Sequence, residues 1–430
     1  MYNILIRPIR IEDAEISFKW RNDPEIWYFT TKHPDKIITR EIETNWLSEK
    51  LTETNATRFS IIVDDQYIGN IQITDIIERE IGEYQIFIGE KTFWGKGISR
   101  QATAQIIRLA RERLNLKELY LIVNPNHLIA IHLYEKCGFI QISNEIRMIL
   151  NLDDSIPPVI SVFLMTYNHE KFIEQALKGI LMQKTNFDFE IVVGEDCSTD
   201  NTRKILLEYA NEFPGKFKLL LHEHNIGAMA NQIAVFGACK GKYIALCEGD
   251  DYWTDPLKLQ KQVDFLESNT DCGLVHTDYN ILMADEKGIN EIRSYHNTTN
   301  KLIPEGKILK ALIRHNFIAS LTVVAKRSLI EDYFAKMPMK RIIRYIQGDY
   351  PLWLYIAGQT NIGYINSTTS SYRVLESSIS HSKQKVKRIA FLLSEYRIKI
   401  DFILKYRILD LPLYWYIIKR FLLRFWVQTH

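Results

Sequence analysis

An apolar segment that ends in a cluster of carboxylates constrains this 430-residue chain most strongly. Residues 243–247 have the length and hydrophobicity of a buried strand, and Glu248, Asp250 and Asp251 follow directly, around Gly249. Short apolar runs bounded by turn residues are typical of strands in parallel sheets. Carboxylates this close together repel one another unless a cation lies among them, and their oxygens suit Mg²⁺ or Mn²⁺. An acidic turn without a ligand is the alternative.

The segments before this strand follow the same pattern. Residues 159–165 and 189–194 are predicted strands, and each precedes a predicted helix. This alternation predicts a parallel sheet with crossover helices. Polar clusters follow the strands at 166–168, 195–200 and 248–251. Because ligands of such sheets bind beyond the carboxyl ends of the strands, the three clusters predict one shared nucleotide pocket.

The overall composition argues against several classes of protein. Hydrophobic residues make up 46% and charged residues 25%, as in ordinary globular proteins, and the net charge of +2 excludes a nucleic-acid-binding composition. Five cysteines without a CxxC spacing predict reduced thiols in the cytosol. Residues 1–8 resemble an opening strand and not a signal peptide, and no apolar run reaches the length of a transmembrane helix.

A glycine pair between a strand and a helix is the main feature of the first third of the chain. The predicted strand 84–88 leads to Trp94–Arg100, which contains Gly95 and Gly97, and a long amphipathic helix follows. Glycines let the backbone approach a ligand, and the free amides at a helix start attract anions. The pattern favours a phosphate-binding loop, with a plain tight turn as the alternative.

Residues 4–149 resemble the GCN5-related N-acetyltransferases (GNAT), of the sort grouped with ribosomal-protein and nucleotide-aminosugar acetyltransferases. The resemblance rests on the loop Trp94–Ser99 and on His127–Phe139, which matches a family segment ending in Leu-Tyr-Glu-Lys-x-Gly-Phe. It implies acetyl-CoA as the acyl donor. Tyr134 is then the candidate general acid for the departing thiolate, with core packing as the alternative, and Glu83 is a candidate base. The residues expected to bind coenzyme A are Phe87, Ile88, Trp94, Gly95, Lys96, Gly97, Ile98, Ser99, Arg100 and Asn126.

Residues 158–380 resemble family 2 glycosyltransferases of the GT-A fold. Residues 248–251 occupy the place of the family's metal motif, 348–349 that of its catalytic Glu-Asp motif, and 372–374 with 378–380 that of its closing Tyr-Arg motif. The resemblance implies that Glu248 and Asp250 hold the cation and that Asp349 is the base of an inverting displacement. The residues expected to bind the nucleotide sugar are Thr166, Tyr167, Asn168, Glu195, Asp196, Ser198, Asp200, Asn225, Gly227, Asp251 and Arg373.

The predicted architecture is therefore α/β throughout. We expect a GNAT domain with a mixed sheet over 1–152, a GT-A domain with a Rossmann-like, mostly parallel sheet over 157–382, and a basic, aromatic helical tail over 383–430. The polar, proline-containing segment 151–158 is the predicted linker.

The C-terminal tail carries a local charge of +8, from eleven Lys and Arg against three Asp and Glu. On a helical wheel, one face is apolar, and it consists of Leu411, Trp415, Ile418, Leu422 and Phe425. Two interpretations stay open: a helix lying on an anionic membrane, or a helix packed on the protein or in an oligomer.

These observations predict a bifunctional enzyme of bacterial surface-polysaccharide synthesis, located in the cytoplasm or at the inner face of the membrane. The first domain would acetylate an amino sugar on its nucleotide, and the second would transfer a sugar to a glycan or lipid-linked acceptor. Two alternatives remain: acetylation of a protein amine by the first domain, and a second domain that binds sugar nucleotides without catalysis.

Overall fold

The structure, a computed structural model, describes residues 1–28, 36–142, 147–152, 156–285, 288–294, 303–375 and 384–429. It divides into two compact units. The first contains Met1–Val159, Lys184–Ile191 and Leu206–Lys218, and the second contains Ile160–Gln183, Val192–Ile205 and Leu219–His430. Residues 153–155 of the predicted linker, the predicted 382/383 boundary and the motif Ser378–Ser380 lie outside the described residues, so both predicted domain boundaries stay predictions.

The first sheet is mixed and has the strand order β1-β2-β3-β4-β5-β7-β6 among the described residues. Its core contains the buried face of α3, including Ala102, Ile106 and Ala110, which the 3.6-residue periodicity of this helix predicted. The elements of this region are β1 (Ile4–Pro8), α1 (Ala14–Arg21), α2 (Arg40–Lys50), β2 (Thr57–Val63), β3 (Gln66–Ile77), β4 (Ile81–Ile88), α3 (Ile98–Glu112), β5 (Glu118–Ile122), α4 (Leu128–Lys136), β6 (Ile140–Gln141) and β7 (Arg147–Asn151).

Strands β4 and β5 separate along their length. They pair in parallel from Ile81 to Glu83 only, although β4 continues to Ile88 beside β3 and β5 continues to Ile122 beside β7. Beyond Glu83 the two strands therefore have no hydrogen bonds to each other in the described structure. This separation leaves an opening in the sheet between the two strands.

The second sheet is also mixed, with the order β10-β9-β8-β11-β15-β13-β16-β12 and β14 paired to β13. Its elements are β8 (Ile160–Thr166), α5 (Ile173–Leu181), β9 (Phe189–Glu195), α6 (Thr202–Glu212), β10 (Phe217–Leu221), α7 (Ala228–Ala238), β11 (Tyr243–Glu248), β12 (Tyr252–Trp253), α8 (Lys258–Ser268), β13 (Cys272–Asp285), β14 (Gly288–Ser294), α9 (Leu309–Arg314), β15 (Val324–Lys326), α10 (Arg327–Lys336), α11 (Met339–Ile342), α12 (Tyr350–Ala357) and β16 (Asn361–Val374).

Strands β8 and β11 are the parallel pair predicted from their apolar sequences. They are in register from Ile160–Tyr243 to Met165–Glu248, so their carboxyl ends lie side by side. Every residue of helix α12 is buried, which explains why its sequence lacks a polar face. The predicted α/β fold class is confirmed for both regions.

Two helices, α13 (Lys385–Lys405) and α14 (Leu411–Thr429), follow the second sheet. Leu413 and Ile417 of α14 are buried, and Phe421 contacts Tyr396 of α13 at a ring-centroid distance of 4.9 Å. The predicted apolar face is the opposite one, and it stays exposed. Helix α14 therefore has two apolar faces, and it packs through the one that the wheel analysis did not select. None of the described helices is long and apolar enough to span a bilayer.

Candidate active sites

The first and third polar clusters meet at the carboxyl ends of β8 and β11. The amide of Gly249 donates to the Met165 carbonyl at 2.9 Å. A Cβ at Gly249 would lie 2.7 Å from both Thr166 Oγ1 and His169 Nδ1, so only glycine fits this close approach. These two buried polar atoms have no hydrogen-bond partner among the described residues. An unsatisfied buried donor or acceptor is costly, so both are candidates for a ligand contact.

The carboxylate cluster has the geometry of a cation site. Ligand oxygens of Glu248, Asp250 and Asp251 lie within 4.8 Å of one another. Burial, and then the charges of Asp250 and Asp349, raise the pKa of Glu248 to about 8, and burial with neighbouring carboxylates also raises the pKa of Asp251. A divalent cation would relieve this repulsion, and the oxygen donors fit Mg²⁺ or Mn²⁺. Asp251 already accepts the Arg373 amide at 2.8 Å, which leaves Glu248 and Asp250 as the better candidates to hold the cation.

Arg373 of β16 is brought to the same cluster. Its guanidinium donates to the Asp250 carbonyl and to Gln175 Oε1, and it lies 4.7 Å from the ring centroid of Tyr252 and 5.0 Å from that of Phe172. The side chain is held on several sides, so its positive charge is fixed next to the carboxylates. Only the tertiary structure shows that Gln175 and Phe172 position this arginine.

Most of the predicted nucleotide-binding polar groups hold loops in place. Buried Glu195 accepts the Ser198 amide at 2.6 Å and pairs with Arg203, while Asp196 accepts the amides of Ile226 and Gly227 at 2.7 and 3.0 Å.

The remaining members of this predicted set form local contacts or reach solvent. Asp200 accepts the Thr202 amide at 2.9 Å at the start of α6. Asn168 accepts the Thr199 amide at 2.8 Å, and Asn225 donates to the Asp196 carbonyl at 3.2 Å. Tyr167 is exposed. The structure thus brings the predicted residues together, but it assigns many of them to supporting the pocket's loops.

Asp349 lies at the N-terminus of α12 and close to the cation cluster. One carboxylate oxygen accepts the Tyr350 amide at 2.7 Å, and the other accepts the Ser320 hydroxyl at 3.1 Å. Burial raises the pKa of this carboxyl, which increases its strength as a base. A Cβ at the preceding Gly348 would lie 2.1 Å from the side-chain oxygen of Gln232, so a larger residue there requires that side chain to move. Sequence reasoning missed Ser320 and Gln232, because neither lies in a recognisable motif.

The predicted phosphate loop in the first unit presents backbone and not side chains. Gly95 and Gly97 have φ values of +72° and +74°, and no described atom lies within 4 Å of a Cβ built at either position. Gly97 caps α3 without a side-chain hydrogen bond from the described residues, so the first amides of the helix are open to an anion.

The other residues of this loop serve mainly to shape it. The Trp94 indole donates to the Ile88 carbonyl at 2.9 Å, and Lys96 lies 5.4 Å from the ring centroid of Phe93. The Ile98 side chain is buried, so only its backbone can reach a ligand, whereas Ser99 is partly exposed and Arg100 is exposed.

Tyr134 lies on α4 beside the core of the first sheet. Its ring packs at 5.9 Å from that of Tyr84, and burial raises the pKa of its hydroxyl to about 12. Glu83 pairs with Tyr120 at the last position before β4 and β5 separate, and it is partly exposed.

Two further members of the predicted coenzyme A set lie on other parts of the first unit. Phe87, near the end of β4, contacts Trp27 at a ring-centroid distance of 5.6 Å, and Asn126 is exposed before α4. The opening of the sheet, the loop and Tyr134 are compatible with a thioester-binding site.

Comparison with known proteins identifies both halves. A family model described as "Glycosyl transferase family 2" matches residues 161–334, and one described as "Acetyltransferase (GNAT) domain" matches residues 3–140. The UDP-Glc:alpha-D-GlcNAc-diphosphoundecaprenol beta-1,3-glucosyltransferase WfgD of Escherichia coli is 30% identical over 230 residues, which cover 53% of this chain and 81% of that protein.

Two further similarities complete the comparison. An uncharacterized protein of Mycobacterium tuberculosis is 37% identical over 167 residues, or 39% of this chain and 46% of that protein, so the chain spans about half of its length. The structure of S. aureus TarS with UDP-GlcNAc aligns with a TM-score of 0.41 and 18% identity, over 57% of this chain and 71% of that one. The chain belongs to glycosyl transferase family 2 and carries an N-terminal acetyltransferase domain of the GNAT type.

Proposed function

We propose that the second unit transfers a sugar, with inversion, from a nucleotide donor to a glycan or lipid-linked acceptor in bacterial surface-polysaccharide synthesis. The observation that supports this most directly is the position of Asp349 next to the cluster of Glu248, Asp250 and Asp251. A base and a cation site are the two parts that such a displacement needs.

Each charged group then has a defined task. Glu248 and Asp250 hold Mg²⁺ or Mn²⁺, which when bound neutralises charge on the leaving nucleoside diphosphate. Arg373 adds a fixed positive charge at the same place. Asp349 accepts the proton of the acceptor hydroxyl. The oxygen of this hydroxyl attacks the anomeric carbon from the face opposite to the leaving nucleoside diphosphate.

Release of nucleoside diphosphate from a panel of sugar nucleotides tests this proposal. Purified protein with Mn²⁺ and a polysaccharide-precursor acceptor should release nucleoside diphosphate from one of the donors, and Asp349→Asn should abolish this release. Asp264→Asn on α8, outside the site, is the matched control. Equal release by wild type and Asp349→Asn would refute the assigned base, whereas loss of the release in this variant argues against a binding role without catalysis.

We further propose that the first unit transfers an acetyl group from acetyl-CoA to an amino sugar carried on the nucleotide donor. The presence of both domains in one chain supports this coupling. Acetylated donor should then be transferred faster than the free amine; equal transfer of both would refute the coupling. Intact-mass measurement of candidate protein substrates tests the alternative, acetylation of a protein amine.

The proposed location is the cytoplasmic face of the membrane, with α14 lying on anionic lipid. Trp415 and Trp426 are 71% and 61% exposed, and the helix contains three Lys or Arg and no Asp or Glu. Such a composition suits the membrane interface, and the name of WfgD indicates a diphosphoundecaprenol acceptor for that relative. Cosedimentation with anionic but not neutral vesicles, lost in a Trp415→Glu/Trp426→Glu variant, is the expected result. Vesicle-independent self-association lost in the same variant would instead identify an oligomer interface.

A further inference from the structure

The two oxygens of Asp349 are held by different partners. The Tyr350 amide of the same helix holds one, and the Ser320 hydroxyl, from the short 3-10 turn Ser320–Thr322, holds the other. We propose that Ser320 is a positioning residue that fixes the carboxylate of Asp349 for proton transfer, an inference that rests on the proposed glycosyltransferase function. With both partners in place the carboxylate cannot rotate, and each oxygen keeps a second lone pair for an acceptor hydroxyl.

The turn that carries Ser320 is itself held by four donors on two carbonyls. The Leu321 carbonyl accepts Trp253 Nε1 at 3.0 Å and Ser370 Oγ at 3.2 Å. The Thr322 carbonyl accepts Gln262 Nε2 at 2.8 Å and Lys258 Nζ at 3.4 Å.

These contacts fix the turn relative to the rest of the site. Trp253 follows the carboxylate cluster by two residues, so the turn is tied to the same strand ends as the cation site. A hydroxyl on so rigid a support is suited to orient a base.

Ser320 also links the base to the metal motif. Its hydroxyl contacts the carboxyl of Glu248, whose pKa is raised by burial and by the charges of Asp250 and Asp349. A serine hydroxyl has one hydrogen to donate, and its oxygen cannot accept a hydrogen bond from an ionised carboxylate, which has no hydrogen to give. Because Asp349 receives this single hydrogen, Ser320→Ala would release the base, and the contact with Glu248 only places the serine beside the metal motif.

A double-mutant cycle of Ser320→Ala and Asp349→Asn tests the proposal on the full chain. Ser320→Ala should lower kcat roughly tenfold or more and leave KM for the donor within about twofold, because it removes a hydrogen bond that orients the base and no contact with the donor. Ser320→Thr, which keeps the hydroxyl, should restore most of the rate. In the Asp349→Asn background, Ser320→Ala should have no further effect on the residual rate. Ser367→Ala, a partly exposed serine elsewhere on β16, is the control.

The outcomes separate this inference from the proposed function. If Asp349→Asn keeps the wild-type rate, the assigned base is wrong and the role of Ser320 falls with it. If Asp349→Asn is inactive but Ser320→Ala keeps the wild-type kcat, only the role of Ser320 is overturned. The role of Ser320 is also overturned if Ser320→Ala lowers the rate by the same factor in wild type and in Asp349→Asn, or if it only raises KM.

Discussion

The two candidate sites are built in opposite ways. In the second unit, charged side chains such as Glu195, Asp196 and Arg373 bind backbone groups of the neighbouring loops, so the site is built from buried polar contacts. In the first unit, the loop around Gly95 and Gly97 presents open backbone amides, and no described atom lies within 4 Å of a Cβ built at either glycine. Substitutions of these side chains in the second unit should therefore lower activity severely and non-additively. In the first unit, side-chain substitutions should have mild effects, except at glycines that determine the backbone conformation.

Removal of a cation ligand is expected to have the largest effect. Asp250→Asn should lower sugar transfer about a thousandfold, in the range seen when a preorganised electrostatic group is lost. A chelator should reproduce this loss in wild type, and Mn²⁺ should reverse it. Coenzyme A binding, measured by calorimetry in the same variant, should not change. A variant that keeps full metal-dependent transfer would remove Asp250 from the cation site.

Loss of the candidate general acid should come next. Tyr134→Phe should lower acetyl transfer about a hundredfold, the lower end of general acid catalysis, while sugar transfer is unchanged. Because burial raises the pKa of Tyr134 to about 12, the hydroxyl stays protonated through neutral and mildly alkaline pH. Acetylation should therefore show no loss from Tyr134 ionisation up to pH about 10. If the acetylation rate of wild type falls with a midpoint below pH about 10, and the Phe variant shows no such fall, the assignment of Tyr134 as a buried general acid is contradicted.

The glycine loop offers the sharpest contrast between backbone and side chain. Gly97→Ala should weaken coenzyme A binding about tenfold, because a left-handed conformation costs a Cβ-bearing residue about 1–2 kcal/mol. Lys96→Ala should change the dissociation constant by less than about threefold, as expected for an exposed charge. Titration calorimetry of both variants measures the difference. A larger loss of affinity in Lys96→Ala than in Gly97→Ala would mean that side-chain charge, and not amide geometry, binds the pyrophosphate.

A smaller effect is expected on stability. The pKa of Glu248 is raised to about 8, so its protonated form stabilises the fold at lower pH, and that contribution is lost as pH rises through this value. Mn²⁺ should therefore increase the melting temperature more at pH about 9 than at pH about 6. Asp250→Asn should reduce this dependence. An equal Mn²⁺ effect at both pH values would argue that the cation binds elsewhere.

Local sequence patterns were enough to predict elements that are stabilised by their own neighbours. Strand β11 and helix α3 follow from apolar residue patterns, which act over a few residues. The family resemblances, predicted over 4–149 and 158–380, came likewise from contiguous motifs, and family models match these regions at 3–140 and 161–334. The tail shows the limit of such reasoning, since a helical wheel cannot decide which of two apolar faces of α14 is buried.

The residues that support the chemistry depend on contacts between distant segments. Ser320 meets Asp349 across 29 positions, Gln175 meets Arg373 across 198, and Gln232 fills the space beside Gly348. No local pattern encodes such pairs, because their proximity results from strand order and the packing of helices on the sheet. The sequence thus determined the fold class, the two families and the charged residues at the ends of the strands. Tertiary packing decided which of those charges support loops and which remain available for a cation, a base or a substrate.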